Sequence, residues 1–255
     1  MKEFLIVLLV LLSSVKSKAD CPLSSMEFWP ASTTIYENSL FVIDGYHLSN
    51  KIIVQLNQKY PIYLTSGNLK VELKIKEITF GEAGLTQVVL LPVKEIIPGN
   101  EYQLNIDNIP SIDMPFINHW NPETEKYEFP TWKVIKGRDI QTPRWKIRPN
   151  EVKKTYVQYG CGPESYVYFN FQALDQSEIL IRTSVTSLIS NKTIICYLRP
   201  DKNEVLKVGR GMCGGAFSFE DGEKFEVTFD IMDASGNIAM WSGNKIEFTK
   251  PLAPN

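Results

Sequence analysis

The stretch KVGRGMCGGAF, Lys207 to Phe217, sets four glycines and a thiol within eleven residues. Such a loop can cradle an anion, present a nucleophile or close a turn around a disulfide. A reactive thiolate needs a basic neighbour, a helix N-terminus or a histidine to lower its pKa. Arg210 is near, but the flanking residues alternate as strands and leave no helix to open after Cys213. Cys161, in YGCGPES, is flanked by glycines in the same way and also precedes a strand pattern. Cysteines in small-residue turns at strand ends suit the close approach a disulfide requires, and glycines supply the dihedral freedom. The pattern predicts a Cys161–Cys213 bridge, with Cys21 and Cys196 left as the remaining pair.

Other chemistry is sparse. The two histidines, His47 and His119, have no serine elbow, zinc-binding helix or cysteine beside them in sequence. No Gly-Lys-Ser/Thr phosphate loop occurs, and no cofactor is expected. Asp230, Asp233 and Asn237, in DIMDASGN, are the best metal candidates, because a tight turn can converge oxygen donors on calcium. The segment lacks the spacing and closing glutamate of a calcium loop, and Asp-x-x-Gly-Asn is ordinary turn chemistry. Trp120, Tyr127, Phe129 and Trp132 form a third candidate, an aromatic platform for a sugar or an apolar partner. The competing reading buries them as packing between domains. Asn191-Lys192-Thr193 is a glycosylation sequon, relevant only in a eukaryotic secretory pathway.

The elements that must hold these residues are strands. KVELKIKEI puts Val71, Leu73 and Ile75 on one face with charges between them, the pattern of a half-buried antiparallel strand. KIIVQL, QVVLL, EYQLNI, YVYFNF, EILIRTSV, TIICYL, KFEVTFDI and KIEFT read as further strands, separated by Gly, Pro, Asn and Asp. The fold class expected is all-β, with two tandem antiparallel sandwiches at 20–110 and 143–251. Between them, 111–142 reads as a connector rich in proline and tryptophan that packs on one or both domains. PGNEYQLNID and DGEKFEVTFD share a turn, an aromatic three residues after glycine and an alternating strand. The first copy predicts that the Tyr102 hydroxyl reaches nearby backbone, as in a tyrosine corner.

The first half, from FWPAS through LLPVKEIIPGNEYQLNI, resembles the Ig-like domains of bacterial envelope proteins of the S-layer type. The second, from TPRWKI through DIMDASGNIAMWSGNKIEF, is similar to exported bacterial Ig-like or fibronectin-like modules. The resemblance implies an exported, envelope-associated β protein and brings no catalytic residues with it.

Residues 1–19 fit a secretory signal: Lys2, the apolar run FLIVLLVLL and the small residues Ser17 and Ala19 around Lys18. Lys18 and Asp20 argue against lipid attachment at Cys21. The whole protein has a net charge of −2, and loss of three lysines and one glutamate with the signal makes it about −4. No basic stripe suits nucleic acid, and no later segment is long enough for a membrane span. These observations favour a non-catalytic exported protein that binds or spaces, in the periplasm, at the cell surface or outside the cell, with a protein or glycan partner there. A carbohydrate-binding or adhesion module using the connector aromatics is the alternative. A hydrolase with carboxylates not locatable in sequence is the third.

Overall fold

A computed structural model describes residues 24–110, 119–121 and 124–253, with only the backbone of Trp120. Cys21 and the signal-like segment lie outside the described residues, as do 111–118, 122 and 123.

The first sandwich contains β1 (Ser24–Trp29), β2 (Thr34–Ile35), β3 (Phe41–His47), β4 (Ile62–Ser66), β5 (Leu69–Phe80), β6 (Leu85–Pro92) and β7 (Glu101–Ile106). β8 (Trp120–Asn121) and β9 (Lys126–Tyr127) pair as a small ribbon before β10 (Thr131–Val134). The strand order is β1-β3-β6-β5-β4-β7-β10-β2. β5 joins the two layers. Its first residues, Leu69 to Glu72, pair with β4 and Leu73 to Phe80 pair with β6, with a register irregularity between Ile75 and Glu77 inside the second pairing. Val71 and Leu73 are buried on the face that the alternation assigns them.

The remaining strands build the second sandwich. They are β11 (Arg144–Tyr159), β12 (Gly162–Leu174), β13 (Ile179–Ser187), β14 (Thr193–Leu198), β15 (Val205–Gly211), β16 (Gly214–Gly215), β17 (Lys224–Asp233), β18 (Ile238–Ala239) and β19 (Ile246–Thr249). One layer is ordered β11-β12-β15-β16; the other runs β14-β13-β17, with β18 and β19 both paired to β17. The protein is all-β, built as antiparallel sandwiches. β7 and β17, the two strands matched in sequence, hold corresponding places and bury Tyr102, Leu104 and Ile106, and Phe225, Val227 and Phe229. The Ile97 amide donates to the Tyr102 hydroxyl at 3.2 Å, the corner expected of the first copy.

Two expectations need correction. KIIVQL is not a strand: Asn50–Ile53 forms a one-turn helix, α1. Ile52, Ile53 and Leu56 are buried while Val54 is exposed, so burial there follows a three-to-four-residue period instead of alternating. The connector is also not all connector. β10 adds to the first sandwich, antiparallel to β7 and parallel to β2. Trp132 is buried there against Phe41, with ring centroids 4.7 Å apart, and its Nε1 donates to the Pro30 carbonyl at 3.0 Å.

The central strands are buried on both faces. Phe41 and Ile43 of β3 enter the core of the first sandwich, while Val42 turns outward into a second apolar cluster. Val88 and Leu90 of β6 point inward and Val89 outward. That outer cluster joins Trp29, Leu40, Val42 and Val89 to Leu180, Tyr197, Met232 and Ala234 of the second sandwich. Trp132→Ala is expected to cost about 3–5 kcal/mol, the range for truncating a large buried aromatic. Urea unfolding checks it, and a loss below about 1 kcal/mol would contradict the assigned packing.

Candidate functional site

The outer face of β3 and β6 also carries polar groups, and these build the contact between sandwiches. Gln87 of β6 is 1% exposed. Its Nε2 donates to Asp44 Oδ1 and to the Tyr197 carbonyl, both at 2.8 Å, and its Oε1 accepts the Tyr197 amide at 2.7 Å. The Gln87 amide thus pairs with the backbone of β14 as a neighbouring strand would. Arg199, two residues on, places Nη2 2.9 Å from Asp44 Oδ2 and Nη1 3.6 Å from Glu27 Oε2. Tyr197 donates its hydroxyl to Glu77 Oε2 at 2.7 Å, and Arg182 links Glu77 to Asp230 at 3.5 and 3.4 Å.

Glu27 and Asp44 are cross-strand partners on β1 and β3, so two carboxylates face one cleft. Burial pushes both carboxyls above their ordinary range, with Arg199 opposing the rise. Asp44 has no free oxygen for a nucleophile or base, since Gln87 holds one and Arg199 faces the other.

The glycine-rich loop closes this contact from the other side. The Glu82 amide donates to the Ala216 carbonyl at 3.0 Å, and Ala83 and Gly215 exchange amide–carbonyl bonds at 3.3 and 2.9 Å. A Cβ on Gly214 would stand 2.9 Å from the Ala83 oxygen, so any larger residue there would push the sandwiches apart. The glycines permit backbone approach between sandwiches. His47 lies across the same loop, and its Nε2 donates to the Cys213 carbonyl, which fixes the ring proton on that nitrogen. His47 and His119 are both exposed.

The cysteines differ from expectation. Cys161 and Cys196 are free, so neither the Cys161–Cys213 nor the Cys21–Cys196 pairing is present. Cys161 sits at the tip of the β11–β12 hairpin, whereas Cys213 faces the first sandwich beside Ser25, Tyr46 and His47. Cys196 is buried among the apolar residues of the second core, which pushes its thiol well above the ordinary range.

The metal triplet is not assembled either. Asp230 and Asp233 are three apart on β17 and so face opposite sides of the strand. Asp230 accepts the Trp241 amide at 2.8 Å and pairs with Arg182. Asp233 Oδ1 accepts the amides of Ser235 and Asn237, both at 2.9 Å, and Oδ2 accepts Asn237 Nδ2 at 2.7 Å. The residues that could share a cation with Asp233 are Asp139 and Asp175, with carboxylate oxygens within 4.8 Å of one another. Nothing in sequence joins them, for they come from the connector, the β12–β13 turn and the end of β17. Their oxygens already accept protein donors. Asp139 takes the Gln141 amide at 3.0 Å, Gln176 Nε2 at 2.7 Å and the Ser177 hydroxyl; Asp175 takes the Ser177 amide at 2.7 Å. Asn38 of the first sandwich donates to the Asp139 carbonyl at 2.7 Å, tying this knot across the contact.

Burial and the charges of Asp233 and Asp139 push the Asp175 carboxyl up to about 6, against the bond from the Ser177 amide. Burial raises the Asp139 carboxyl too, but bonds from Ser177, Gln176 and Gln141 outweigh it and hold it low.

Among the described residues the aromatic candidates do not form a platform. Trp132 is in the core, Phe129 packs on that core and edge-on to Phe28 at 5.9 Å, and Tyr127 is exposed. The indole of Trp120 lies outside the described residues.

No protein-family model and no curated protein sequence matches this protein. Solved structures match at low scores. A type I pullulanase from Bacillus subtilis complexed with maltose is 9% identical, with TM-score 0.24, over 90% of this protein and 25% of that one. The N-terminal part of the bacterial S-layer protein SbsC is 10% identical, with TM-score 0.25, over 89% and 44%. The Yersinia pseudotuberculosis adhesin InvE is 12% identical, with TM-score 0.23, over 89% and 58%. The protein spans about a quarter of the length of the pullulanases it matches. The sandwich assignment rests on strand order and register.

A raised carboxyl binds its proton more tightly in the folded state, so its stabilising share is full below pH about 4 and lost as pH rises through about 6. Asp175→Asn is therefore expected to raise the thermal midpoint at pH 7.5 and to leave it unchanged at pH 3. An equal shift at both values would contradict the assigned burial and repulsion. Alkylation at neutral pH should label Cys161 in native protein and Cys196 only after unfolding. Rapid native labelling of Cys196 would contradict its burial.

Proposed function

We propose that this protein is a non-catalytic module of an exported, envelope-associated assembly, in which two sandwiches act as one stiff unit that spaces or presents what it carries. The observation that supports this reading is the contact between sandwiches. Apolar packing, the Gln87 amide, the Arg199 and Arg182 ion pairs and the Asp139 knot all cross it. Sandwiches joined only by a flexible linker would leave that face to water. Export is supported by the leader-like residues 1–19. No described helix is long and apolar enough to cross a membrane.

A hydrolase is supported less well. Asp44 has its oxygens engaged, and the ring proton of His47 is held by a backbone carbonyl. The connector-aromatic form of the glycan-binding reading loses Trp132 to the core.

Spin labels at the exposed positions Leu69 and Ile189, introduced as Leu69→Cys and Ile189→Cys in a Cys161→Ser background, measure the stiffness. The expected result is one narrow distance distribution, broadened when Gln87→Ala and Arg199→Ala are combined. A broad distribution without those two changes would overturn the spacer reading.

A further inference from the structure

The contact between sandwiches is not filled along its whole length. Below Glu27 it leaves a cleft of about 210 Å³, with Asp44 and Tyr46 on one wall and Tyr166, Arg199 and Lys207 on the other. Tyr46 and Tyr166 are half-buried along it, and neither hydroxyl has a hydrogen-bond partner among the described residues. Burial raises both phenols, Tyr166 to about 12, so each stays an O–H donor at neutral pH.

We propose that this cleft is a binding site for a single sugar ring. The donors are the two phenols and Lys207, and half-buried Glu27 supplies an acceptor. Two carboxylates and two cations line it, so the charge balances, and a neutral polyhydroxylated ligand suits it better than an anion. Tyrosine rings give a sugar apolar surface beside the donors. The volume is smaller than the roughly 300–1,000 Å³ of sites for drug-sized ligands, which restricts the occupant to one ring. The site stands on the cleft alone and holds whether or not the module is a spacer.

The test titrates the full mature protein, labelled with 13C at tyrosine, with the methyl glycosides of glucose, galactose and N-acetylglucosamine. At least one should shift the Tyr46 and Tyr166 resonances in a saturable way. Tyr166→Phe should then weaken binding about three- to tenfold, the effect of one uncharged hydrogen bond. It should leave the thermal midpoint unchanged, because that hydroxyl bonds nothing in the fold. Tyr168→Phe, whose hydroxyl accepts from Thr155 at 3.3 Å, should leave binding unchanged. Saturable shifts confined to other tyrosines would overturn the proposal. So would no shift with any of the three sugars, or a crystal soaked with them that holds only ordered water in the cleft.

Discussion

Gln87 stands on the outer face of β6, where a lone sandwich would meet solvent, and its primary amide hydrogen-bonds the backbone of Tyr197. Such an amide has two donors and an acceptor oxygen with two lone pairs, and all are occupied here. Tyr197 takes one donor and one lone pair, Asp44 shares the donor side and Thr79 the acceptor side. At 1% exposure any vacancy would cost the desolvation of an unpaired group, about 1–3 kcal/mol. Gln87 therefore fixes which residue of β14 sits opposite β6, and the position of Arg199 follows from it.

Arg199 brings a guanidinium to Asp44 and Glu27, which burial alone would drive toward protonation. Removing one side of such a pair leaves a buried charge uncompensated, so the pair works less as a source of stability than as a condition on assembly. The apolar cluster around Trp29, Leu40 and Met232 supplies non-directional burial, while the polar groups set the register. At the far side, Gly214 lets two backbones meet where any larger residue would hold them apart, and Gly215 leaves room for Arg210 on the neighbouring strand. The arrangement gives the glycine-rich loop around Cys213 a structural use, the close approach of two backbones.

Much of the fold was legible from period-two alternation. β5 buries Val71 and Leu73 and leaves Ile75 half-buried, β7 and β17 bury their alternating residues, and the match between those two marked corresponding strands. The short helix was not, because four residues of KIIVQL fit either period. The contact between sandwiches left a sign that was readable in principle: VVLL and FVI are continuous apolar runs, as expected of strands covered on both faces. The cleft and the aspartate knot were not legible. Glu27, Tyr46, Tyr166 and Arg199 lie on four strands or strand ends, and Asp139 and Asp233 are joined only by the fold. Trp132 looked like connector because the prolines around it obscured a four-residue strand.

Differential scanning calorimetry tests the central claim that the two sandwiches are one unit. Locking through Gln87 and Arg199 predicts a single transition whose calorimetric and van't Hoff enthalpies agree. Two separate transitions, each with about half of the enthalpy expected for the full-length protein, would contradict it.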